Sequence, residues 1–140
     1  MEKIEFENSV YENEDFSGMD FTDKDIIKAK FIGCSFASSD LSDTKMRGSS
    51  FEKCRFSNAH LNGADIKSCA FISCEFLLAS FFGTVIEDCK MTGSTFLSSE
   101  ISCLNIKGGD FSYTDMRDLE FTKMEFRGIS FEGADLCGTK

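Results

Sequence analysis

A large apolar residue occupies every fifth position of the sequence, from Phe6 to Leu136, without a change of phase. These 27 positions hold 15 Phe, 5 Ile, 3 Leu, 3 Met and 1 Tyr. A helix repeats its apolar face about every 3.6 residues and a strand about every 2, so neither produces a period of five. An unbroken short period over nearly the whole chain predicts a repeat protein.

The other places of the repeat have characters of their own. In fifteen consecutive repeats, from Ala29 to Ser99, the residue two places before the large one is small. A bulky and a small inward position together predict a narrow coil filled by both kinds of side chain. The place two after the large residue is rich in Gly, Asn, Asp and Ser, which tolerate tight turns, so each pentapeptide is predicted to end in a corner.

Several segments resemble the signature of the pentapeptide-repeat family, namely Ala64-Asp65-Ile66, Ala134-Asp135-Leu136, Ser39-Asp40-Leu41 and Ala59-His60-Leu61. The resemblance covers about residues 4–140. It implies an all-β fold, a right-handed quadrilateral parallel β-helix with four pentapeptides per coil. The length then predicts about seven coils in one domain over residues 1–140, with no capping helix.

The sequence itself supports a coil of four pentapeptides, because residues 20 apart are alike. One such column is all Phe, at positions 16, 36, 56, 76 and 96, and another holds Ile or Met, at positions 26, 46, 66, 86 and 106. Like residues stack well on like residues along a coil. A coil of three pentapeptides would mix the two columns.

The formal charge of the chain is −9, from 24 acidic and 15 basic residues. This balance disfavours binding to nucleic acid or to an anionic membrane and favours a basic protein partner. No stretch approaches the roughly 18 apolar residues of a membrane span, and the first ten residues contain no apolar run typical of a signal peptide. We therefore expect a cytoplasmic protein that does not bind membranes.

The seven cysteines do not form a metal-binding pattern. Five of them stand at the small inward place, at positions 34, 54, 69, 74 and 89, and are interpreted as small buried apolar residues. Three lie 20 apart, which fits the backbone distance of a disulfide, but a reducing compartment disfavours that alternative. Cys103 and Cys137 lie at other places and are better positioned to react.

No catalytic or cofactor-binding motif is present. His60, the single histidine, falls at an outward place, where the sequence suggests no partner for base catalysis. There is no Gly-x-Ser-x-Gly turn and no phosphate-binding glycine loop. Catalysis, a cofactor and a metal are therefore not expected, and function is sought where the repeat changes.

A first irregularity is a concentration of acidic residues in one outward column. This candidate partner-binding face comprises Asp20, Asp23, Asp40, Asp43, Glu100 and Glu120, and Lys123 offsets it. Neighbouring columns carry compensating basic residues. One face of the coil is thus predicted to be negative.

A second irregularity is a set of apolar residues at outward or corner places. This candidate partner patch comprises Ile72, Leu77, Leu78, Phe82, Val85 and Leu97. Apolar residues around one coil can form a binding patch, although scattered exposed apolar residues are ordinary. Both interpretations remain open at this point.

A third irregularity is the loss of small inward residues near the end, where Leu104, Leu119, Met124 and Ile129 replace them. The last coils are therefore predicted to be wider or differently packed. An uncovered final coil presents apolar side chains and unpaired strand groups. We expect an end-to-end homodimer through Leu119, Met124, Ile129 and Leu136.

The segments 16–21 and 31–36 are similar to those of the quinolone-resistance branch of the family, whose members are thought to imitate DNA and to bind type II topoisomerases such as gyrase. The resemblance implies the same role here, with a topoisomerase as protein partner and no direct contact with nucleic acid. Many members of that branch have loops that interrupt the repeat and a C-terminal helix that forms a dimer, and this sequence shows neither, although loop-free members also occur. The competing hypothesis is a general interaction or assembly scaffold that uses the apolar patch.

Overall fold

A computed structural model describes residues 6–140. The chain winds into a parallel β-helix in which residues 20 apart lie side by side, as Ile26 pairs with Met46 and Met46 with Ile66. Four pentapeptides therefore complete one turn, and six such turns separate Phe6 from Phe126. The predicted β-helix is confirmed, and no α-helix occurs within residues 6–140.

Each turn has four faces, which we number by the large apolar residue at the centre of each. Ile26 stands at the centre of face 1, Phe31 of face 2, Phe36 of face 3 and Leu41 of face 4, and the order then repeats. Faces 1 and 2 pair mainly as short strands, whereas on faces 3 and 4 only the residue before each centre forms a bridge. The strands are β1 Phe6–Glu7, β2 Val10–Glu12, β3 Asp25–Ile27, β4 Lys30–Ile32, β5 Lys45–Arg47, β6 Ser50–Glu52, β7 Asp65–Lys67, β8 Ala70–Ile72, β9 Val85–Lys90, β10 Asn105–Asp110 and β11 Ile129–Ser130.

The centre residues form the core as columns that run along the axis. All twenty centres from Phe21 to Met116 are buried. The rings of Phe31 and Phe51 stack 4.8 Å apart at an interplanar angle of 5°, and those of Phe36 and Phe56 stack 5.0 Å apart at 3°. These distances follow from the strand spacing of about 4.8 Å, which brings equal rings of neighbouring turns into contact.

The small inward side chains also join one turn to the turn before it. Thr84 Oγ1 donates to the carbonyl of Leu61 at 2.6 Å, and Ser94 Oγ donates to that of Phe71 at 2.7 Å. In both pairs the donor follows the acceptor by 23 residues, which is one turn and three residues. Ser, Thr and Cys at this place therefore fill the core and also bond buried backbone carbonyls.

The residue two places after each centre turns the corner. All 27 of these residues, from Asn8 to Gly138, have a positive φ between 50° and 77°. A left-handed conformation costs an ordinary L-residue about 1–2 kcal/mol, and Gly, Asn and Asp adopt it most readily, which explains their enrichment at the corners. Leu78, with φ 58°, is the only aliphatic hydrocarbon side chain at a corner between Asn8 and Gly138.

The ladder between the last two turns is complete on faces 2 and 3. It is interrupted on faces 4 and 1, where no backbone hydrogen bond within residues 6–140 joins Glu100 to Glu120 or Asn105 to Glu125. Clefts of about 510 Å³ and about 360 Å³ lie along this interruption, which we call the seam. The seam separates residues 99–107 from residues 119–127.

Large inward residues accompany the seam. Leu104, Leu119 and Met124 stand there at places that hold small residues in the earlier turns. Ile129 on face 2 is also large, but it pairs with Gly109, which has no side chain and a φ of 115°. A Cβ at Gly109 would lie 2.5 Å from the carbonyl oxygen of Cys89, so the backbones approach closely here and the ladder stays intact.

Candidate partner-binding surface

The ionisable side chains are distributed unequally over the four faces. Within residues 6–140, faces 1 and 2 carry ten acidic and ten basic residues, whereas faces 3 and 4 carry twelve acidic and four basic residues. Faces 3 and 4 are adjacent and share the corner that includes Leu78. The negative charge of the described residues is therefore gathered on one side of the coil.

The strongest concentration lies at the first two turns of this side. We call it the acidic cluster, and its residues are Glu14, Asp15, Asp20, Asp23, Asp40 and Asp43. No basic residue of faces 3 and 4 lies between positions 14 and 43, and no residue of the cluster forms an ion pair within the described part of the chain. Lys24, just past the corner on face 1, lies near enough to act on Asp20.

The carboxylates of Asp20 and Asp40 in the cluster are held in their charged form. The backbone N–H of Thr22 donates to Asp20 Oδ1 at 2.9 Å, and that of Ser42 donates to Asp40 Oδ1 at 3.0 Å. Hydrogen bonds from the Thr22 side chain and backbone lower the pKa of Asp20, and the corresponding bonds from Ser42 lower the pKa of Asp40. Because donors favour the ionised carboxylate, both groups stay negative at neutral pH and below it.

The structure divides the acidic face predicted from the sequence into two parts. Asp20, Asp23, Asp40 and Asp43 lie together, whereas Glu100 and Glu120 lie on the same face but beyond the turns of His60 and Ser80. Glu100 and Glu120 flank the seam, and Lys123 and Lys140 offset them. The prediction omitted Glu14 and Asp15, because it considered one column of residues at a time. These two residues lie on face 3, across a corner from the other four.

The apolar residues predicted as a patch also separate. Leu77 and Leu97 are stacked on face 3, and Leu78 turns the corner beside them, with its N–H bonded to the Leu97 carbonyl at 3.2 Å. Phe82 lies on face 4 of the same turn and is 51% exposed. Ile72 and Val85 lie half-buried on faces 2 and 1. The contiguous part is therefore Leu77, Leu78 and Leu97, which we call the leucine corner.

The four residues predicted for a dimer end differ in exposure. Leu119 is buried in the core, and Met124 and Ile129 pack against the core with part of their surface exposed. Leu136 is 38% exposed, and Phe126, which was not predicted, is 39% exposed. Leu119 is therefore not part of the open surface: it borders the seam, and the N–H of Lys140 bonds its carbonyl at 3.2 Å.

The cysteines at the inward place are buried free thiols, whereas Cys103 and Cys137 are exposed free thiols. Cys74 Sγ donates to the carbonyl of Phe51 at 3.2 Å, and burial raises the pKa of the Cys74 thiol. Burial likewise raises the pKa of Cys34. Cys34 and Cys74 are therefore core donors, and their raised pKa keeps them protonated and unreactive.

Neither a metal cluster nor a membrane-spanning helix is found within the described residues. Among residues 6–140, no group of three or more His, Cys, Asp or Glu side chains is arranged to hold a metal ion. The same part of the chain contains no helix with the length and apolar character needed to cross a membrane. His60 lies exposed on face 4, beside Asp40 and Ser80 in the ladder.

A family model described as a pentapeptide repeat region matches residues 4–81, which is more than half of the chain. The chain belongs to the pentapeptide-repeat family. Membership agrees with the four-sided turn and the left-handed corners described above. No curated protein sequence matches the chain significantly.

Solved pentapeptide-repeat structures are similar to nearly the whole length of the chain. Two are trypsin-treated variants of QnrB1, a plasmid-mediated fluoroquinolone resistance protein. One is 25% identical with a TM-score of 0.61, and the other is 23% identical with a TM-score of 0.59. Each alignment covers 96% of this chain and 73% of the QnrB1 chain. The pentapeptide-repeat protein therefore shares its β-helix with proteins of the quinolone-resistance branch.

Proposed function

We propose that this pentapeptide-repeat protein is a non-catalytic, acidic interaction module that imitates DNA and binds the DNA-binding surface of a type II topoisomerase such as gyrase. The observation that carries the proposal is the gathering of negative charge on faces 3 and 4, with twelve acidic and four basic residues. A protein surface that binds DNA is basic and recognises regularly spaced negative charges. Carboxylates fixed on a ladder offer such an array.

The charge density is high enough only at the acidic cluster. The net charge of −8 on faces 3 and 4 extends over a rod of roughly 32 Å, which is one charge per about 4 Å. Duplex DNA has one charge per about 1.7 Å. The six carboxylates of the cluster lie within two turns, about 10 Å of axis, and thus reach one charge per roughly 1.7 Å. We therefore assign the mimicry to the first two turns.

The similarity to QnrB1 supports this function, since QnrB1 is a plasmid-mediated fluoroquinolone resistance protein. A gyrase partner is consistent with a cytoplasmic location. The seven free cysteines are consistent with a reducing compartment. The exposed Phe126 and Leu136 are the residues through which a second copy would bind end to end. In that arrangement Met124 and Ile129 contribute the remaining apolar area.

The test is binding of the purified protein to DNA gyrase, together with supercoiling measured with and without a quinolone. We expect binding that weakens as salt is raised and that linear duplex DNA competes away, because both ligands use one basic surface. Asp20→Asn with Asp40→Asn should lower the affinity at least tenfold. Asp65→Asn with Glu87→Gln removes the same charge from face 1 and should leave the affinity within about twofold.

Two results would reject this function. One is the absence of gyrase binding together with unchanged supercoiling in the presence and absence of quinolone. The other is an equal loss of affinity in the face 1 and face 4 variants, which would show that net charge alone controls binding. Light scattering over a range of concentrations tests the dimer, and a monomer that is unaltered by Leu136→Lys would remove it.

The competing function is a general interaction scaffold that uses the candidate apolar patch from Ile72 to Val85, together with Leu97. Its support is the exposure of Leu78 and Phe82, which are 55% and 51% exposed. If Leu77→Ser and Phe82→Ser abolish gyrase binding while the Asp20 and Asp40 substitutions do not, the scaffold is the better description.

A further inference from the structure

The leucine corner is contiguous and open to solvent. Leu77 is 39% exposed and Leu78 is 55% exposed, and Leu97 continues the surface one turn further along the axis. Phe82 stands at the far edge of face 4 in the same turn and is 51% exposed. Exposed apolar side chains that cluster on one side of a protein are typical of interaction surfaces.

Leu78 is unfavourable in two ways at its position. Its backbone has φ 58°, which an aliphatic residue adopts at a cost, and its side chain is more than half exposed. The turn below has Ser57 and Asn58 at the equivalent places, where Asn suits the left-handed corner. Backbone strain at a side chain that is more than half exposed points to a role outside the protein.

Acidic residues lie on both sides of the leucine corner along the axis. Glu100 pairs with Ser80 in the ladder, one turn beyond Leu78, and Asp118 stands at the same corner two turns beyond. Asp40 lies two turns before Ser80, at about 10 Å. The corner is thus an apolar centre with carboxylates at both ends, on faces whose net charge is negative.

The apolar centre and the flanking carboxylates limit which molecules can bind at the leucine corner. A second copy bound through the same surface would place acidic residues against acidic residues, which opposes association. Nucleic acid and anionic membranes are repelled for the same reason. A basic protein segment satisfies both parts, since apolar side chains cover the leucines while Lys or Arg reach the flanking carboxylates.

We propose that the leucine corner and the carboxylates around it form one docking site for a basic, amphipathic segment of another protein. The segment presents apolar side chains at its centre and basic side chains about 5 to 10 Å away on each side. This inference rests on the proposed role as an acidic interaction module, but not on gyrase being the partner. It also combines the acidic and the apolar surfaces into a single site, although the sequence alone offers them as competing hypotheses.

The test uses three synthetic helical peptides of equal length, measured by fluorescence anisotropy at low and at moderate salt. The first has Leu on one face and Lys elsewhere, the second replaces Lys by Glu, and the third replaces Leu by Ser. We expect the Lys-Leu peptide to bind at least tenfold more tightly than the Lys-Ser peptide, and the Glu-Leu peptide not to bind.

The protein variants imitate other turns of the same chain, so that folding is preserved. Leu77→Ser with Leu78→Asn copies Ser57 and Asn58 and should weaken Lys-Leu binding at least tenfold without changing its salt dependence. Glu100→Gln with Asp40→Asn should reduce the salt dependence. Val10→Ser, at a 63% exposed apolar residue of face 2, is the matched control and should bind normally.

Equal binding of the Lys-Leu and Lys-Ser peptides, or normal binding by the leucine variant, would overturn the inference. So would equal binding of the Glu-Leu peptide. Gyrase binding is measured separately, so an absence of gyrase binding rejects the proposed topoisomerase partner, while the peptides alone decide the docking site. Circular dichroism of every variant shows that a loss of binding is not a loss of fold.

Discussion

The middle turns and the last turn of this β-helix are built from the same pentapeptide, yet they differ in regularity. In the middle, equal rings stack almost parallel, as Phe51 and Phe71 do at 4.6 Å and 3°. In the last turn, Phe111 and Phe131 are 5.9 Å apart and inclined by 43°, and the ladder is open on faces 4 and 1. Both regions keep a large apolar residue at every centre.

The difference shows that the small inward residue controls the closure of a turn. In the middle turns Ala, Ser, Thr or Cys stands at this place, and adjacent turns approach to the strand spacing. On the two faces that open, Leu119 and Met124 stand there, and on face 2 the pairing of Ile129 with Gly109 preserves the approach. The centre thus supplies the core, and the inward place sets how closely the turns stack.

The largest difference between the two regions should appear on removal of a ring. Phe56→Ala empties a fully buried place between two stacked rings and should lower the free energy of unfolding by about 4 kcal/mol. Phe126→Ala removes a ring that is 39% exposed and should cost about 1 kcal/mol. Urea unfolding measures both. Equal losses would show that the last turn is packed as tightly as the middle.

The junction of the two regions depends on Gly109. Gly109→Ala places a Cβ 2.5 Å from the Cys89 carbonyl oxygen at a φ of 115° and should cost about 3 kcal/mol. The matched control is Gly18→Ala, where no atom lies within 4 Å of the added Cβ and the cost should be about 1 kcal/mol. Similar melting temperatures for the two variants would argue against close approach at Gly109.

Small residues at the seam should convert the last turn to the middle type. The triple variant Leu104→Thr, Leu119→Ser and Met124→Thr restores residues of the kinds found at these places in earlier turns. The amides of Glu120 and Glu125 should then bond the previous turn and exchange hydrogen at least tenfold more slowly, which is about 1.4 kcal/mol. If these amides exchange hydrogen at an unchanged rate in a folded variant, the large inward residues are not the cause of the seam.

Leu78 is an exception within the regular turns, and its replacement should make that region more uniform. Leu78→Asn relieves the left-handed strain of a branched apolar residue and should raise stability by about 0.5–1 kcal/mol. Asn58→Asp, in the same corner column, serves as the control with little expected effect. A lower melting temperature for Leu78→Asn would show that Leu78 stabilises the fold.

The smallest expected effect is on the stability of the fold at acidic pH. Hydrogen bonds from Ser112 lower the pKa of Asp110, as those from Ser42 lower the pKa of Asp40. A carboxyl with a lowered native pKa stabilises the fold above its ordinary pKa near 4, and the stabilisation is lost as the pH falls through the native value. Asp40→Asn should therefore flatten the loss of stability below about pH 4. An unaltered acid-unfolding profile would contradict this assignment.

The sequence predicted the regular part of the molecule well, because its period expresses one repeated geometry. The columns of Phe31 and Phe36, the corners and the inward cysteines all follow from a residue's place in the repeat. The seam was only partly predictable, since large inward residues indicated altered packing but not which faces would open. That outcome depends on Gly109, which relieves crowding on one face only.

The surface was harder to predict than the core. Single columns identified Asp20 and Asp40, but the acidic cluster also needs Glu14 and Asp15 from the adjacent face. The leucine corner similarly combines residues of a face and a corner, while Ile72 and Val85 of the same turn face elsewhere. Sequence distance does not express these relations, because neighbours on the surface are separated by a corner or by 20 residues.

Four pentapeptides to a turn also make the direction of every side chain depend on how many residues precede it. The loss of 20 residues between Asp40 and Glu100 would bring the two carboxylates one turn closer on the same face. The loss of only five would rotate Glu100 and everything after it by a quarter turn, onto the direction of face 3. Changes in length can thus redesign the outside of this molecule while every pentapeptide keeps its own sequence.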